Sequence, residues 1–381
     1  MMPYIIVFFV SCVLFEFGKE MEGLRSGRYA AWLCYGFALF VLCAFAGARD
    51  LTIGTDTGGY GVYLYNQGMI ANNFGSFYDA VNASLWDIAP LYSFFSFVVV
   101  KLSGSQFIYL FAIQLAVVTP VFFVVKRVCN RSFGLVMALY LLAFYIPSLN
   151  IMRQSVAMGL VLLSLVKFIY GQHIQAALIG VAALATHSSA LIVVLFLVIL
   201  LSMFEKNDAN EWVCRKWSQV VMWLSVFGIM VLLIGFREIA GLLSGGSGIG
   251  RLFLYGMHDG GQLSLTGALF TVLIVSGSLL TVSALDSRNR AYGTFLACLV
   301  TLSIPFYLMS GVDVTIARMS EYCLLFFVPL VGLSLSKRVV GKNWGGMTLV
   351  AGACLFRFFV CFVMLGFNQA VPYTSAMLGI Y

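Results

Sequence analysis

Apolar runs of about 15 to 20 residues recur along almost the whole chain, separated by short polar breaks. A run of this length spans the hydrocarbon core of a bilayer as an α-helix, whereas a membrane β-strand would show about ten residues of alternating polarity. The chain is 61% hydrophobic and 10% charged, while soluble domains carry about 25% charged residues. This small number of charged residues cannot cover a surface that faces water. The sequence therefore predicts an all-α polytopic membrane protein.

We predict about 12 to 14 transmembrane helices in a single integral membrane domain over residues 1–381. Two segments between the spans, about 48–88 and 237–264, are long enough to be functional outer loops. The candidate spans are about 2–17, 30–47, 89–103, 106–125, 132–147, 154–170, 174–186, 188–204, 218–236, 265–285, 291–310, 321–336 and 346–366.

Basic residues fall into short clusters between the predicted spans. The positive-inside rule places such clusters on the cytoplasmic side. They are Lys19, Arg25 and Arg28; Lys126, Arg127 and Arg131; Lys206, Arg215 and Lys216; Arg288 and Arg290; and Lys337, Arg338 and Lys342. From Arg131 onward the alternation is regular, and it brings the remaining polar segments together on the outer face.

The N-terminal third does not alternate in this way. With the loop 48–88 outside, two further spans at 89–103 and 106–125 would return Lys126 to the outer side, against its charge. The chain must therefore cross an odd number of times between Arg49 and Arg131. Either one of the two segments is re-entrant, or the amphipathic stretch 74–88 inserts, and the sequence leaves both open.

Four short polar segments interrupt the apolar pattern on the predicted outer face. An ionisable side chain at membrane depth is costly, and it therefore indicates a functional site. The segments are 49–60, with Arg49, Asp56 and Tyr60; 150–154, with Arg153 and Gln154; 186–189, with His187; and 313–322, with Arg318 and Glu321. Arg251 lies in the glycine-rich outer loop and is a further candidate.

Each residue type suits a particular chemistry and also has a structural interpretation. A guanidinium binds phosphate oxygens in bidentate fashion, but an interfacial arginine also snorkels to headgroups. Arg49 could hold an anion or pair with a nearby aspartate, and Arg318 could pair with Glu321 at i, i+3. His187 could act as a base, donate to an anion or merely bond to backbone.

Several classes of site are absent from the sequence. No nucleotide-binding motif and no Cys/His spacing for a metal occurs, so we expect neither a metal nor another cofactor, and the sequence disfavours a sugar donor that is soluble in the cytoplasm. The charge of +7 belongs to the loop clusters and does not indicate nucleic-acid binding. Arginines, a histidine and carboxylates on one face instead predict a site for a phosphorylated amphiphile.

Four motifs in this order resemble the EpsG family. They are Arg49…Gly54-Thr55-Asp56-Thr57…Tyr60, Asn150-Ile151-Met152-Arg153-Gln154-Ser155-Val156-Ala157, Thr186-His187-Ser188-Ser189-Ala190-Leu191 and Ala317-Arg318-Met319-Ser320-Glu321-Tyr322. The resemblance covers about residues 45 to 340. Gly58 and Gly59 depart from it, since larger residues are expected before Tyr60.

The resemblance implies a Wzy-type O-antigen or exopolysaccharide polymerase, which is a membrane glycosyltransferase of GT-C-like architecture. It implies oligosaccharide repeat units on undecaprenyl diphosphate as donor and acceptor, at the periplasmic face of the bacterial inner membrane, and a chain-length-regulating co-polymerase as a possible partner. A diphosphate leaving group gains negative charge in the transition state.

The expected roles follow from that chemistry. Catalytic acid–base or orienting roles fall to Asp56, His187 and Glu321, and substrate or diphosphate binding falls to Arg49, Arg153, Gln154, Arg318, Arg251 and Tyr60. The aromatic residues of 60–92 could stack on sugars or form an interfacial belt. Two alternatives are a flippase or other transporter of the lipid-linked oligosaccharide, and an O-antigen ligase, which shares the donor.

Overall fold

A computed structural model describes residues 1–24, 26–85, 88–206, 212–217, 220–221, 224–225, 227–228, 231, 264–308, 314–335 and 344–381. The side chains of 287–288 and 314–317 are outside this description. Arg25, Arg251, Lys337, Arg338, Lys342, the outer loop 237–263 and most of the predicted span 218–236 also lie outside the described residues.

The described chain is helical, and this confirms the all-α polytopic prediction. Within it, nine helical segments are long and apolar enough to cross a membrane: Met2–Glu22, Arg28–Gly47, Gln106–Val128, Phe133–Asn150, Met152–Ile169, Leu265–Ser283, Asn289–Leu308, Arg318–Leu335 and Trp344–Met364. Three shorter apolar segments are Pro90–Ser103, His173–Thr186 and Ser188–Met203.

The chain divides into two compact units. The first comprises Met1–Leu191, Leu335–Lys337 and Cys354–Tyr381, and the second comprises Ile192–Ser334 and Arg338–Ala353. The prediction of one membrane domain over the whole chain stays a prediction.

Most of the predicted site residues lie in the first unit. Its helices are α1 (Met2–Glu22), α2 (Arg28–Gly47), α3 (Val62–Ile70), α4 (Phe74–Leu85), α5 (Pro90–Ser103), α6 (Gln106–Val128), α7 (Phe133–Tyr140), α8 (Ile146–Asn150), α9 (Met152–Ile169) and α10 (His173–Thr186). Single π-helical turns at Thr57–Gly61 and Leu141–Tyr145 precede α3 and α8, another covers Arg357–Met364, and short 3-10 turns occupy Ser188–Leu191 and Phe367–Gln369.

The second unit contains the remaining elements. They are α11 (Ile192–Met203), the antiparallel strands β1 (Phe204–Lys206) and β2 (Trp212–Cys214), α12 (Leu265–Ser283), α13 (Ser287–Thr301), α14 (Ser303–Leu308), α15 (Val314–Leu324), α16 (Phe327–Leu335) and α17 (Trp344–Phe356). Edge-to-face ring pairs fill part of its core, with Phe196 and Phe326 at 5.4 Å and Phe204 and Phe295 at 5.9 Å between centroids.

The helices of the first unit define two ends. At one end the carboxylate of Glu22, which closes α1, accepts hydrogen bonds from Lys19 and from Lys126 near the end of α6. At the other end the hydroxyl of Tyr4, near the start of α1, donates to the backbone carbonyl of Ala370 at 2.6 Å. We call these the Lys126 end and the Arg153 end, because Arg153 opens α9 at the latter.

The segment between α2 and α6 leaves and returns at the Arg153 end. A Cβ on Gly47, the last residue of α2, would lie 2.7 Å from the carbonyl oxygen of Phe107 near the start of α6. The Tyr65 hydroxyl donates to the Gly104 carbonyl at 2.9 Å, and Lys101 Nζ donates to the Met69 carbonyl at 3.1 Å. The ends of α3 and α5 are thus adjacent.

These contacts place both ends of the segment 48–106 at the Arg153 end, and Leu91 and Tyr92 at the start of α5 line one groove with Thr119 and Pro120 from the middle of α6. The segment 89–103 therefore starts at mid-depth and returns as a re-entrant segment, and α6 runs from one end of the unit to the other. The 14 residues of α5 span about 21 Å as a helix, less than the roughly 30 Å of hydrocarbon that a spanning helix must cross. Lys126 therefore lies at the same end as Glu22, as the charge pattern requires.

The predicted outer loop 48–88 is mostly helical. Its phenylalanines pack on α5, with ring centroids 5.3 Å apart for Phe74 and Phe94 and again for Phe77 and Phe97. Tyr63 donates to the Ala80 carbonyl. These aromatic rings pack between α4 and α5 and thereby stabilise the re-entrant segment.

Candidate active site

The side chains of Arg153 and Tyr60 are in direct contact. The guanidinium carbon of Arg153 lies 4.5 Å from the centre of the Tyr60 ring, and the Arg153 backbone N–H donates to the Tyr60 hydroxyl oxygen at 3.3 Å. Gly61 packs closely against the start of α9, since a Cβ there would come within 2.9 Å of Met152 Cε. Both side chains are half-buried, so the guanidinium retains access to a ligand.

Tyr60 is uncharged in this environment. Burial raises the pKa of its hydroxyl well above the ordinary value, and the nearby Asp56 carboxylate raises this pKa further, although Arg153 opposes the effect. A neutral phenol beside Arg153 leaves the positive charge available for an anionic ligand, which a phenolate would neutralise.

Asn150 connects the first two predicted motifs. Its Oδ1 accepts hydrogen bonds from the Asp56 backbone N–H at 2.9 Å and from Thr55 Oγ1 at 3.0 Å. The Thr57 hydroxyl donates to the Leu149 carbonyl at 2.9 Å. These bonds hold the loop 54–57 against the end of α8, and they place the half-buried Asp56 on the same side of the unit as Tyr60 and Arg153.

The backbone at Gly54 brings this loop close to α8. Its φ is +82°, a left-handed conformation that favours glycine. A Cβ at this position would lie 2.9 Å from the Leu149 carbonyl oxygen and 3.1 Å from Asn150 Cα. The first glycine of the Gly54-Thr55-Asp56-Thr57 motif is therefore required by the fold.

Arg49 has a structural environment. It is 3% exposed, and its guanidinium donates to the carbonyls of Ala46 at 2.8 Å and Leu149 at 3.3 Å, to Thr57 Oγ1 and to Met152 Sδ. Burial lowers its pKa, but an arginine keeps its proton at any physiological pH. Arg49 thus joins the end of α2, the loop and α8, and the substrate-binding role predicted for it stays a prediction.

His187 lies at the Arg153 end, directly after α10. Its Nδ1 accepts the Ser189 backbone N–H at 3.2 Å and lies 2.7 Å from Ser189 Oγ. Because Nδ1 is an acceptor here, the neutral ring carries its proton on Nε2. Of the two functional roles predicted for His187, this geometry favours donation to an anionic oxygen over proton abstraction.

An apolar groove of about 500 Å³ begins beside this cluster. It lies between α5, α6, α9 and α10, and its lining includes Tyr92, Val156 and Thr186. Tyr92 is in edge contact with Tyr60 at 6.5 Å between centroids, Val156 follows Arg153 by one helical turn, and Thr186 precedes His187. The groove therefore starts at the charged cluster and follows the helices.

The C-terminal segment 366–381 contributes to the same end, although it belongs to none of the four polar motifs. The Gly54 backbone N–H donates to the Gln369 carbonyl at 3.0 Å, and Asp50 Oδ1 accepts the Ala376 N–H at 2.9 Å. The Tyr373 ring stacks on Phe45 with 3.9 Å between centroids. Asn150 Nδ2 reaches Asn368 Oδ1 at 3.4 Å. The sequence signal for this segment is a stretch after the last span that contains Gly, Asn, Gln, Pro, Thr and Ser, which interrupt the apolar pattern.

The remaining candidates are in other environments. Gln154 is 3% exposed and points into the first unit. Arg318, which is exposed, and Glu321, which is half-buried, lie on α15 in the second unit. Arg251 lies outside the described residues. The catalytic and binding roles assigned to all of these residues from the sequence stay predictions.

One family model matches the chain. It is described as the EpsG family, and it covers residues 32–375, which is nearly the whole chain. No curated protein and no solved structure gives a significant match. The family has a polymerase-type role in polysaccharide biosynthesis. The chain is a multi-pass membrane protein that belongs to the EpsG family, a Wzy-type polymerase family.

Proposed function

We propose that this protein is a glycosyltransferase that polymerises lipid-diphosphate-linked oligosaccharide repeat units, with undecaprenyl diphosphate as the carrier, at the outer face of the bacterial inner membrane. The observation that carries the proposal is the Arg153–Tyr60 contact at the start of an apolar groove. An anionic head beside a long apolar tail matches a cation beside a groove that opens along membrane-spanning helices.

The reaction is a displacement at an anomeric carbon. A sugar hydroxyl of one lipid-linked unit attacks the anomeric carbon of the glycan on another, the bond from that carbon to the diphosphate oxygen breaks, and the lipid diphosphate leaves with the electron pair. The hydroxyl proton passes to a base, for which Asp56 is the candidate near Tyr60 and Arg153. Arg153 stabilises the charge that develops on the diphosphate.

His187 complements this arrangement. An Nε2–H donor at the same end of the unit can bind a second phosphate oxygen, and imidazole and guanidinium together offer donors to both phosphates. The groove between α5, α6, α9 and α10 receives the first part of the prenyl chain, while the remainder stays in lipid.

The test is glycan chain length in a strain that lacks the gene and is complemented with variants at matched membrane abundance. Arg153→Ala should lose long polymer while single repeat units still reach the surface, since removal of one donor that stabilises transition-state charge costs about 10²–10³ in rate. Arg153→Lys should restore the polymer only in part, because an ammonium lacks the bidentate fork.

The control is Arg131→Ala, which removes an exposed arginine at the opposite end and should leave polymer length unchanged. Three outcomes would contradict the proposal. Lipid-linked units accumulating on the cytoplasmic face would indicate a flippase. Long polymer that stays unattached to its acceptor would indicate a ligase. Polymer of normal length from Arg153→Ala would show that the active site lies elsewhere in the protein.

A further inference from the structure

A second groove, of about 620 Å³, lies at the Lys126 end between α6, α9 and α10. It is separate from the proposed active site, since Arg153 and Lys167 are 14 residues apart on α9, about 21 Å along the helix. Its walls include Phe123, Leu163, Leu178 and Ile179, and its mouth carries Lys126, Arg127 and Lys167. Among the residues that the structure describes, no acidic side chain lines this groove.

The three cations at the mouth have different partners. Lys126 is bound to the Glu22 carboxylate and lies over the rings of Trp32 and Tyr35, so its charge is already compensated. The Arg127 guanidinium stacks on Tyr170 at 4.4 Å, and its N–H donors form no hydrogen bond with the described part of the chain.

Lys167 Nζ donates to Gln175 Oε1 at 2.9 Å, which holds it at the mouth without neutralising it. The groove thus presents two uncompensated positive charges held by aromatic and amide partners. The start of α10 adds to them, because its N-cap residue Gln172 lines the groove without making a side-chain cap bond, and a helix N-terminus carries partial positive charge.

We propose that this groove binds one anionic membrane phospholipid, with its phosphodiester between Arg127 and Lys167 and an acyl chain along Phe123, Leu163 and Leu178. The charge complementarity excludes a cationic occupant. The apolar walls favour a lipid over a free phosphate, because most of the lining can contact only hydrocarbon. Basic pockets between transmembrane helices are a recurrent type of anionic-lipid site.

The experiment is native mass spectrometry of the full-length protein in detergent, titrated with phosphatidylglycerol or with phosphatidylcholine of the same acyl chains. Wild type should retain one phosphatidylglycerol in preference to phosphatidylcholine. The double variant R127Q/K167Q should bind phosphatidylglycerol about 30-fold more weakly, since each basic residue near an anionic lipid contributes a factor of roughly 5. Equal retention of both lipids by the wild type would overturn the proposal.

Matched variants separate this site from general charge effects. R28Q/R131Q removes two exposed arginines from the same end without touching the groove, and it should bind like the wild type. R127K/K167R keeps both charges and should bind phosphatidylglycerol like the wild type. Normal binding by this variant would show that the loss in R127Q/K167Q arises from the missing charges and not from misfolding caused by substitution at these two positions. If R28Q/R131Q loses as much phosphatidylglycerol affinity as R127Q/K167Q, the effect arises from net charge alone, and the proposal is wrong.

A final pair of measurements distinguishes the lipid from its headgroup. Leu178→Trp obstructs the acyl path at a side chain that is 67% exposed, so it should weaken lipid binding without disturbing the core. Millimolar inorganic phosphate should not displace the lipid. Full displacement by phosphate, together with normal lipid binding by Leu178→Trp, would identify a phosphate site instead.

Discussion

The guanidinium of Arg153 is held by the face of Tyr60, and no carboxylate of the described residues forms an ion pair with it. A cation over an aromatic ring gains about 0.5–2 kcal/mol and keeps its full charge. The edges of the guanidinium, which carry the N–H donors, then remain usable by a ligand. An ion pair would have occupied those donors, so the ring is the better support for an anion-binding arginine.

This support can be tested by separating the ring of Tyr60 from its hydroxyl. Tyr60→Phe keeps the ring and should retain most of the polymerisation rate of the purified protein. Tyr60→Leu removes the ring and should reduce that rate up to about 30-fold, which corresponds to the upper value of a desolvated cation–π contact. Equal rates for the two variants would show that the ring does not support Arg153. If both rates are low, the hydroxyl is the group required, and if both are normal, neither group is required.

Gly54 and Gly59 provide a matched pair of glycines in one loop. Gly54→Ala must place a Cβ 2.9 Å from the Leu149 carbonyl oxygen at a φ of +82°, so it should destabilise the protein by about 1–3 kcal/mol and abolish long polymer. Gly59 has no atom within 4 Å of an added Cβ, so Gly59→Ala should be tolerated. Thermal unfolding in detergent and polymer length measure both effects.

At the scale of elements, the loop 48–57 and the C-terminal segment 366–381 hold each other in place. The loop 48–57 has backbone partners in both α8 and residues 369–376, while a buried arginine, Arg49, satisfies the carbonyls where α2 ends. Buried polar backbone must be hydrogen-bonded, and an irregular segment inside a helical bundle finds such partners at the end of a helix or in another irregular segment.

Truncation tests this interdependence. A chain that ends at Leu365 should still insert and remain folded through its helices, but it should lose long polymer because Asp50 and Gly54 lose their partners at Ala376 and Gln369. Removal of Tyr381 alone, which is 93% exposed, is the control and should have no effect. Polymer length and protease resistance of the loop 48–57 are the measurements. A truncated chain that still makes long polymer would contradict this dependence.

At the scale of the whole molecule, the connection of α2 to α6 determines which residues share a membrane face. A re-entrant α5 predicts that residues 72 and 101 are on one side and that residues 130 and 172 are on the other. Cysteines introduced one at a time at Asn72, Lys101, Asn130 and Gln172, in a chain whose nine native cysteines are replaced by serine or alanine, can be labelled with a membrane-impermeant maleimide.

In intact spheroplasts, the cysteines at 72 and 101 should react, and those at 130 and 172 should react only after permeabilisation. The positive-inside rule assigns the second pair to the cytoplasm. Reaction at 72 without reaction at 101 would mean that α5 crosses the membrane, and the account of the N-terminal third would then be wrong.

The local sequence was sufficient to predict the class of fold and to locate the four polar motifs. Helix-length apolar runs specify membrane helices whatever they pack against, since hydrogen bonding within one segment satisfies the backbone in lipid. The motif at Asn150 and Arg153 was visible as polar residues within such a run, and the matching family model confirms the family to which the order of motifs pointed.

The tertiary structure decided which helices cross the unit and which polar residues are buried, and the sequence pattern could not decide either. A run of 14 apolar residues is the same in sequence whether it crosses or returns. The adjacency of Gly47 and Phe107, together with the position of Tyr92 beside the middle of α6, shows that α5 returns. Arg49 and Arg153 are both arginines beside apolar runs, yet one is buried among carbonyls and the other lies on an aromatic face. Tyr4 meets Ala370 across 366 positions. Contacts between such distant residues depend on how the helices pack, and no local pattern encodes that packing.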